Sequence, residues 1–104
     1  MIASGSGDNT IKIWHIYEGY DDTLYGHDSS VNSVAWSPGS SMLVSGSNDA
    51  TVKIWNINTL QVIKTLYGHT KPVASVAFSC SGLMVVSGSD DNTVRMYKLF
   101  EVNL

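Results

Sequence analysis

The sequence has one cysteine, Cys80, two prolines, and only 14% charged residues, against roughly 25% in an average domain. A lone cysteine can close no intrachain disulfide, which agrees with a reducing compartment. Six Lys+Arg against nine Asp+Glu leave a net charge of −3. No basic field is therefore available for nucleic acid or anionic lipid, and neither is expected as a partner. The longest apolar run, Leu83 to Val86, is far short of the roughly 20 residues of a membrane-spanning helix. The N-terminus, Met-Ile-Ala-Ser-Gly-Ser-Gly, lacks the basic start and apolar stretch of a signal peptide. No Asn-x-Ser/Thr acceptor occurs. The expected home is the cytoplasm or nucleus.

What is present points to strands. The 104 residues suit one domain, and 43% hydrophobic content excludes ordinary disorder. Val and Ile total 18 (11 + 7), Ala and Leu 12 (5 + 7), and Ser and Thr 22 (15 + 7). β-branched and hydroxyl residues favour strands and turns over helices. The fold class is all-β.

The chain also repeats itself. GSGDNTIKIW from Gly5 to Trp14, GSNDATVKIW from Gly46 to Trp55 and GSDDNTVRMY from Gly88 to Tyr97 align without gaps, at offsets of 41 (55 − 14) and 42 (97 − 55). A second block, GHDSSVNSVAWSP from Gly26 and GHTKPVASVAFSC from Gly68, recurs between them, again 42 apart (68 − 26). Two blocks in one order at one period define a structural unit.

Each unit reads as four short strands. Val31 to Trp36 and Val73 to Phe78 are bounded by Gly-His and by Ser-Pro or Ser-Cys turns. Met42 to Ser47 and Met84 to Ser89 end at Asn48-Asp49 and Asp90-Asp91, where Asn and Asp tolerate positive φ. Thr51 to Ile57, Thr93 to Leu99 and Thr10 to Ile16 are the third strands, and Gln61 to Leu66 is the fourth. A period of about 40–45 residues with four strands per unit predicts propeller blades stacked face to face.

The spacing Gly26-His27, Ser45, Asp49, Trp55, repeated as Gly68-His69, Ser87, Asp91, Tyr97, resembles the WD-repeat signature over essentially the whole chain. The resemblance implies an incomplete ring of antiparallel four-stranded blades. Residues 1–25 would be the C-terminal part of a first blade, 26–67 a complete blade, and 68–104 a nearly complete third. It also implies a buried tetrad in each blade: His27, Ser45, Asp49 and Trp55, then His69, Ser87, Asp91 and Tyr97, with Ser4, Asp8 and Trp14 in the leading copy. The departures are specific. The Trp-Asp dipeptide never occurs, Tyr97 puts a phenol in place of an indole N–H, and Cys80 replaces the proline seen at Pro38.

His27, Ser45 and Asp49 are also the side chains of a hydrolase triad. Against catalysis, the set recurs in the next repeat and has no G-x-S-x-G elbow. A cross-brace is needed in every blade; an active site is not. Gly5-Ser6-Gly7-Asp8 lacks the Lys-Ser/Thr ending of a phosphate loop. His15, His27, His69 and Cys80 have no metal-ligand spacing, so neither metal nor cofactor is expected. His15 reads as a solvated surface residue and Asp21-Asp22 as a loop charge pair. Trp36, Phe78, Met42 and Met84 sit at equivalent repeat positions and read as core. The resemblance implies partner contacts at Ser30, Asn32 and Asn48, at Pro72, Ala74 and Asp90, and at Gly7. The expected function is a non-catalytic scaffold for protein or peptide partners. The alternatives are a His-Ser-Asp hydrolase and a repeat fragment without independent function. Unpartnered terminal faces predict self-association, and Phe100 to Leu104 would begin an outer strand.

Overall fold

The computed structural model describes residues 1–99; residues 100–104, with their expected outer strand, lie outside the described residues. Ten strands follow in order: β1 (Ile2–Gly5), β2 (Ile11–His15), β3 (Tyr20–Leu24), β4 (Val31–Trp36), β5 (Met42–Ser47), β6 (Val52–Asn56), β7 (Gln61–Leu66), β8 (Val73–Phe78), β9 (Met84–Ser89) and β10 (Val94–Lys98). They form three antiparallel sheets, β1-β2-β3, β4-β5-β6-β7 and β8-β9-β10. The all-β blades expected from the repeat are present, with no closed ring.

Two strands exceed the sequence reading. β1 is the counterpart of Leu43–Gly46 in β5, one step beyond where the aligned blocks begin. β3, Tyr-Asp-Asp-Thr-Leu, lacks the β-branched alternation that marks its neighbours. It is held by its ladder to β2, in register from Ile11↔Leu24 to His15↔Tyr20.

The turns after β1, β5 and β9 differ from expectation in one respect. Positive φ falls on Asn9 (76°), Ala50 (69°) and Asn92 (67°), not on the Asn48-Asp49 or Asp90-Asp91 pairs. Asn tolerates the left-handed region through its short polar side chain, whereas alanine there costs roughly 1–2 kcal/mol. Ala50 is kept there by its N–H to Ser47 O and by Asp49 accepting the Thr51 N–H.

The sheets stack through alternate residues. Ile11, Ile13 and Leu24 of the first sheet pack on Val31, Leu43, Trp55 and Ile57 of the second. From the other face of the second sheet, Val44, Val52 and Ile54 pack on Val73, Val76 and Val85 of the third. Trp36 borders the first cluster, and Met42 and Phe78 border the second. Close approach needs glycine at the contact. A Cβ on Gly46 would lie 2.6 Å from Val73 Cγ1, and one on Gly5 2.8 Å from Val31 Cγ1. Gly88, the third copy of that position, has nothing within 4 Å. Among the described residues nothing covers the outer face of the third sheet.

Candidate functional site

In the middle sheet four side chains come together: His27 from the connection before β4, Ser45 from β5, Asp49 from the short β5–β6 turn and Trp55 from β6. His27 Nε2 lies 2.6 Å from Ser45 Oγ, and His27 Nδ1 lies 2.8 Å from Asp49 Oδ2. The Trp55 indole donates to Ser45 Oγ at 2.8 Å. The hydrogens then run one way: indole N–H to serine, serine O–H to Nε2, and Nδ1–H to the carboxylate, which assigns the histidine a neutral tautomer. Asp49 accepts further bonds from the Asp28 N–H, the Thr51 N–H and the Thr51 hydroxyl.

Electrostatics follow from this wiring. Burial pushes the His27 imidazolium down, outweighing the raising influence of Asp49. Burial pushes the Asp49 carboxyl up, but Thr51, His27 and two backbone N–H groups overcome it and hold the carboxyl at about 2. Neutral histidine beside carboxylate is the stable pairing.

The third sheet repeats three of the four members. His69 Nε2 is 2.7 Å from Ser87 Oγ and Nδ1 is 2.9 Å from Asp91 Oδ2. Tyr97 does not reach the serine; its hydroxyl turns to Tyr67 O at 3.5 Å. The Thr93 hydroxyl bond, opposed by burial and joined by His69 and the Thr70 N–H, holds the Asp91 carboxyl well below the usual range. In the first sheet Trp14 donates to Ser4 Oγ at a long 3.3 Å, and the pair is exposed. Asp8 accepts both the hydroxyl and the N–H of Thr10, which lower its carboxyl. The threonine two residues after each aspartate belongs to the network in every copy. The sequence reading missed it, although DNT, DAT and DNT carry it in plain view.

At the β5–β6 end, Asn32, Asn48, Asp90, Ala74 and Gly7 are exposed, while Ser30 and Pro72 are half-buried. The Asn32 amide donates to Asn48 Oδ1 (2.6 Å) and to Val73 O (3.0 Å), joining the second sheet to the third. Asn48 N–H donates to Ser30 O, Asp90 N–H to Pro72 O, and Ser30 Oγ to Gly7 O. Backbone bonds from the following turns hold Ser30 and Pro72, and hydroxyls add to them: Ser30 Oγ to Gly7 O and Ser89 Oγ to Pro72 O.

Two readings of the opposite end need correction. His15 is not a solvated residue: it is half-buried, stacked on Tyr20 at 4.2 Å, with Nε2 2.9 Å from Asp22 Oδ2. Asp21 and Asp22 lie within β3, not in a loop, and Asp21 pairs with Lys12 across the sheet at 3.4 Å. Cys80 is exposed. Among the described residues no three His, Cys, Asp or Glu side chains gather as metal ligands, and no helix is long and apolar enough to cross a membrane.

Stacked antiparallel sheets at a 41–42-residue period, each with a turn-to-strand hydrogen-bond network, define a repeat protein of propeller blades. The family model described as WD domain, G-beta repeat matches residues 1–15, 20–56 and 60–98, so the chain belongs to the WD-repeat family. The second and third matches run β3–β6 and β7–β10, whereas the sheets group β4–β7. Sequence repeat and sheet are thus staggered by one strand, and each outer strand ties one repeat to the sheet before it. The chain is also similar to Nuclear distribution protein nudF 1 of Talaromyces marneffei (strain ATCC 18224 / CBS 334.59 / QM 7333). Identity is 37% over 67 residues, covering 62% of this chain and 15% of that protein.

Proposed function

We infer that the chain is a non-catalytic piece of a protein-interaction scaffold, and that its tetrads are structural braces. The observation that carries this reading is the state of Ser45. Its Oγ is wholly buried and already occupied by the indole N–H and the imidazole. A nucleophilic serine needs an open cleft and donors for an oxyanion. Ser87 is equally buried. What a partner can reach is the rim carrying Asn32, Asn48, Ala74 and Asp90. These are small, polar or acidic, and they suit a polar or mildly basic peptide segment better than a bulky apolar anchor.

The test compares added positive charge at the two ends. An Asn48→Lys/Asp90→Lys variant is expected to lose an interactor that Cys80→Lys, in the turn at the far end, retains. Affinity capture returning the same partners for both variants would remove the rim assignment.

The uncovered third sheet favours a second reading, self-association through exposed blade faces. Val94 and Met96 are 72% and 67% exposed, where their counterparts Val52 and Ile54 are 0% and 1%. Apolar faces of this kind invite association. Light scattering on a size-exclusion column should give a mass above the monomer's, and a strictly monomeric peak at high concentration would contradict it.

A further inference from the structure

Repetition marks what every blade needs, so a polar cluster that breaks the repeat has another reason to exist. On the face of the first sheet that packs against the second, the paired rungs run Ile11/Leu24, Ile13/Asp22 and His15/Tyr20. The first rung is fully buried, and the next two turn polar. In the second sheet the same rungs are Ile54/Lys64 and Asn56/Gln61. The blade therefore requires neither an acid nor an aromatic there; the counterpart of Asp22 carries the opposite charge. Asn56 also does a different job, since its side chain accepts the N–H groups of Asn58 and Thr59. The His15 side chain makes no such turn bond and instead clamps Asp22 and Tyr20, although its backbone carbonyl accepts the Gly19 N–H as Asn56 O accepts that of Leu60.

The clamp forms one wall of a cleft of about 520 Å³ between the first two sheets. The oxygen-bearing side chains of Asp22, Ser40 and Asn58 line it, and His15 engages only Oδ2 of the Asp22 carboxylate. Tyr20 has one ring face covered by His15 and is 54% exposed overall. Ile57 and Leu60 supply an apolar wall. The chemistry is that of a site for a planar, donor-rich cation on an aliphatic stem. A guanidinium offers five N–H donors in a fixed fork, stacks on aromatic faces, and is less strongly hydrated than an ammonium. Its methylene stem lies well along apolar surface.

We propose that this cleft binds an arginine side chain presented by a peptide or protein partner. The carboxylate of Asp22 takes the guanidinium, His15 fixes that carboxylate through its other oxygen, and Tyr20 supplies the stacking face. The site lies at the end of the blades opposite the Asn48 rim and does not depend on it.

The test is an NMR titration of the full chain with the blocked tripeptide Gly-Arg-Gly, with Gly-citrulline-Gly and Gly-Lys-Gly in parallel. The arginine probe should give saturable amide shifts at Asp22, Ser40 and Asn58. The citrulline probe, isosteric but uncharged, should give none, and the lysine probe should bind more weakly. Asp22→Asn should weaken the arginine probe by about tenfold or more, the loss of one charge-assisted contact. Asn48→Lys/Asp90→Lys should leave it unchanged, which separates this site from the rim. Equal shifts with arginine and citrulline, or no saturable shift at these three amides, would overturn the proposal, and both comparisons use the native chain.

Discussion

The middle and third sheets carry nearly the same brace in different surroundings. His27-Ser45-Asp49 and His69-Ser87-Asp91 agree in every bond between histidine, serine and aspartate to within about 0.1 Å. They differ at the fourth member. Trp55, 1% exposed, donates into the serine, while Tyr97 points to the backbone of the preceding connection. They differ again in cover, because among the described residues the middle sheet is packed on both faces and the third on one. Three polar residues at fixed spacing are enough to form the network. The indole and the next sheet decide how firmly it is held.

The largest expected effect lies at the aromatic position. Trp55→Ala removes a fully buried indole and its bond, and should cost about 3–5 kcal/mol. Trp14→Ala, at the same repeat position but 41% exposed, should cost far less. Urea unfolding of both variants measures the gap, and similar losses would mean that the middle sheet gains nothing from its closed brace.

Acidification is the next lever, and its sign follows from two depressed groups. His27 in the fold takes up its proton below the ordinary 6.5, and Asp49 near 2 rather than 3.8. In each case the unfolded chain protonates first. Stability from His27 is complete above about pH 6.5 and is lost as pH falls through its lowered folded value; that from Asp49 is complete above about pH 3.8 and is lost as pH falls towards 2. Melting temperatures recorded from neutral pH downward should fall on the acid side. A rise between about pH 7 and 5 would show that His27 is charged in the fold.

Much of this was legible before any coordinates. The 41–42-residue period located eight of the ten strands, because β-branched runs between Gly-His and Ser-Pro turns are local signals. The resemblance to the WD-repeat signature, not the period itself, supplied the serine, histidine and aspartate positions that come together. What stayed hidden depends on neighbours. That Tyr97 breaks the tetrad was legible, since a phenol replaces the indole N–H there; its turn to Tyr67 O was not. His15 and Asp22 meet only because the β2–β3 register places them on adjacent rungs of one face. Residue spacing alone cannot show that before the strands are paired. Ala50 sits at positive φ because the hydrogen bonds around it impose the turn that Asn9 and Asn92 adopt more easily.

The account rests on the two braces being unequal, and one pair of variants addresses that directly. Asp49→Ala strands the His27 N–H and the backbone donors that converge on it, and should cost about 1–3 kcal/mol. Asp91→Ala removes the same bonds from a network without an indole, on a sheet with one open face, and should lower the unfolding midpoint less. Urea melts of both variants, fitted alongside the native chain, give the answer. A larger midpoint shift for Asp49→Ala is the predicted result; equal shifts, or a larger one for Asp91→Ala, would contradict it.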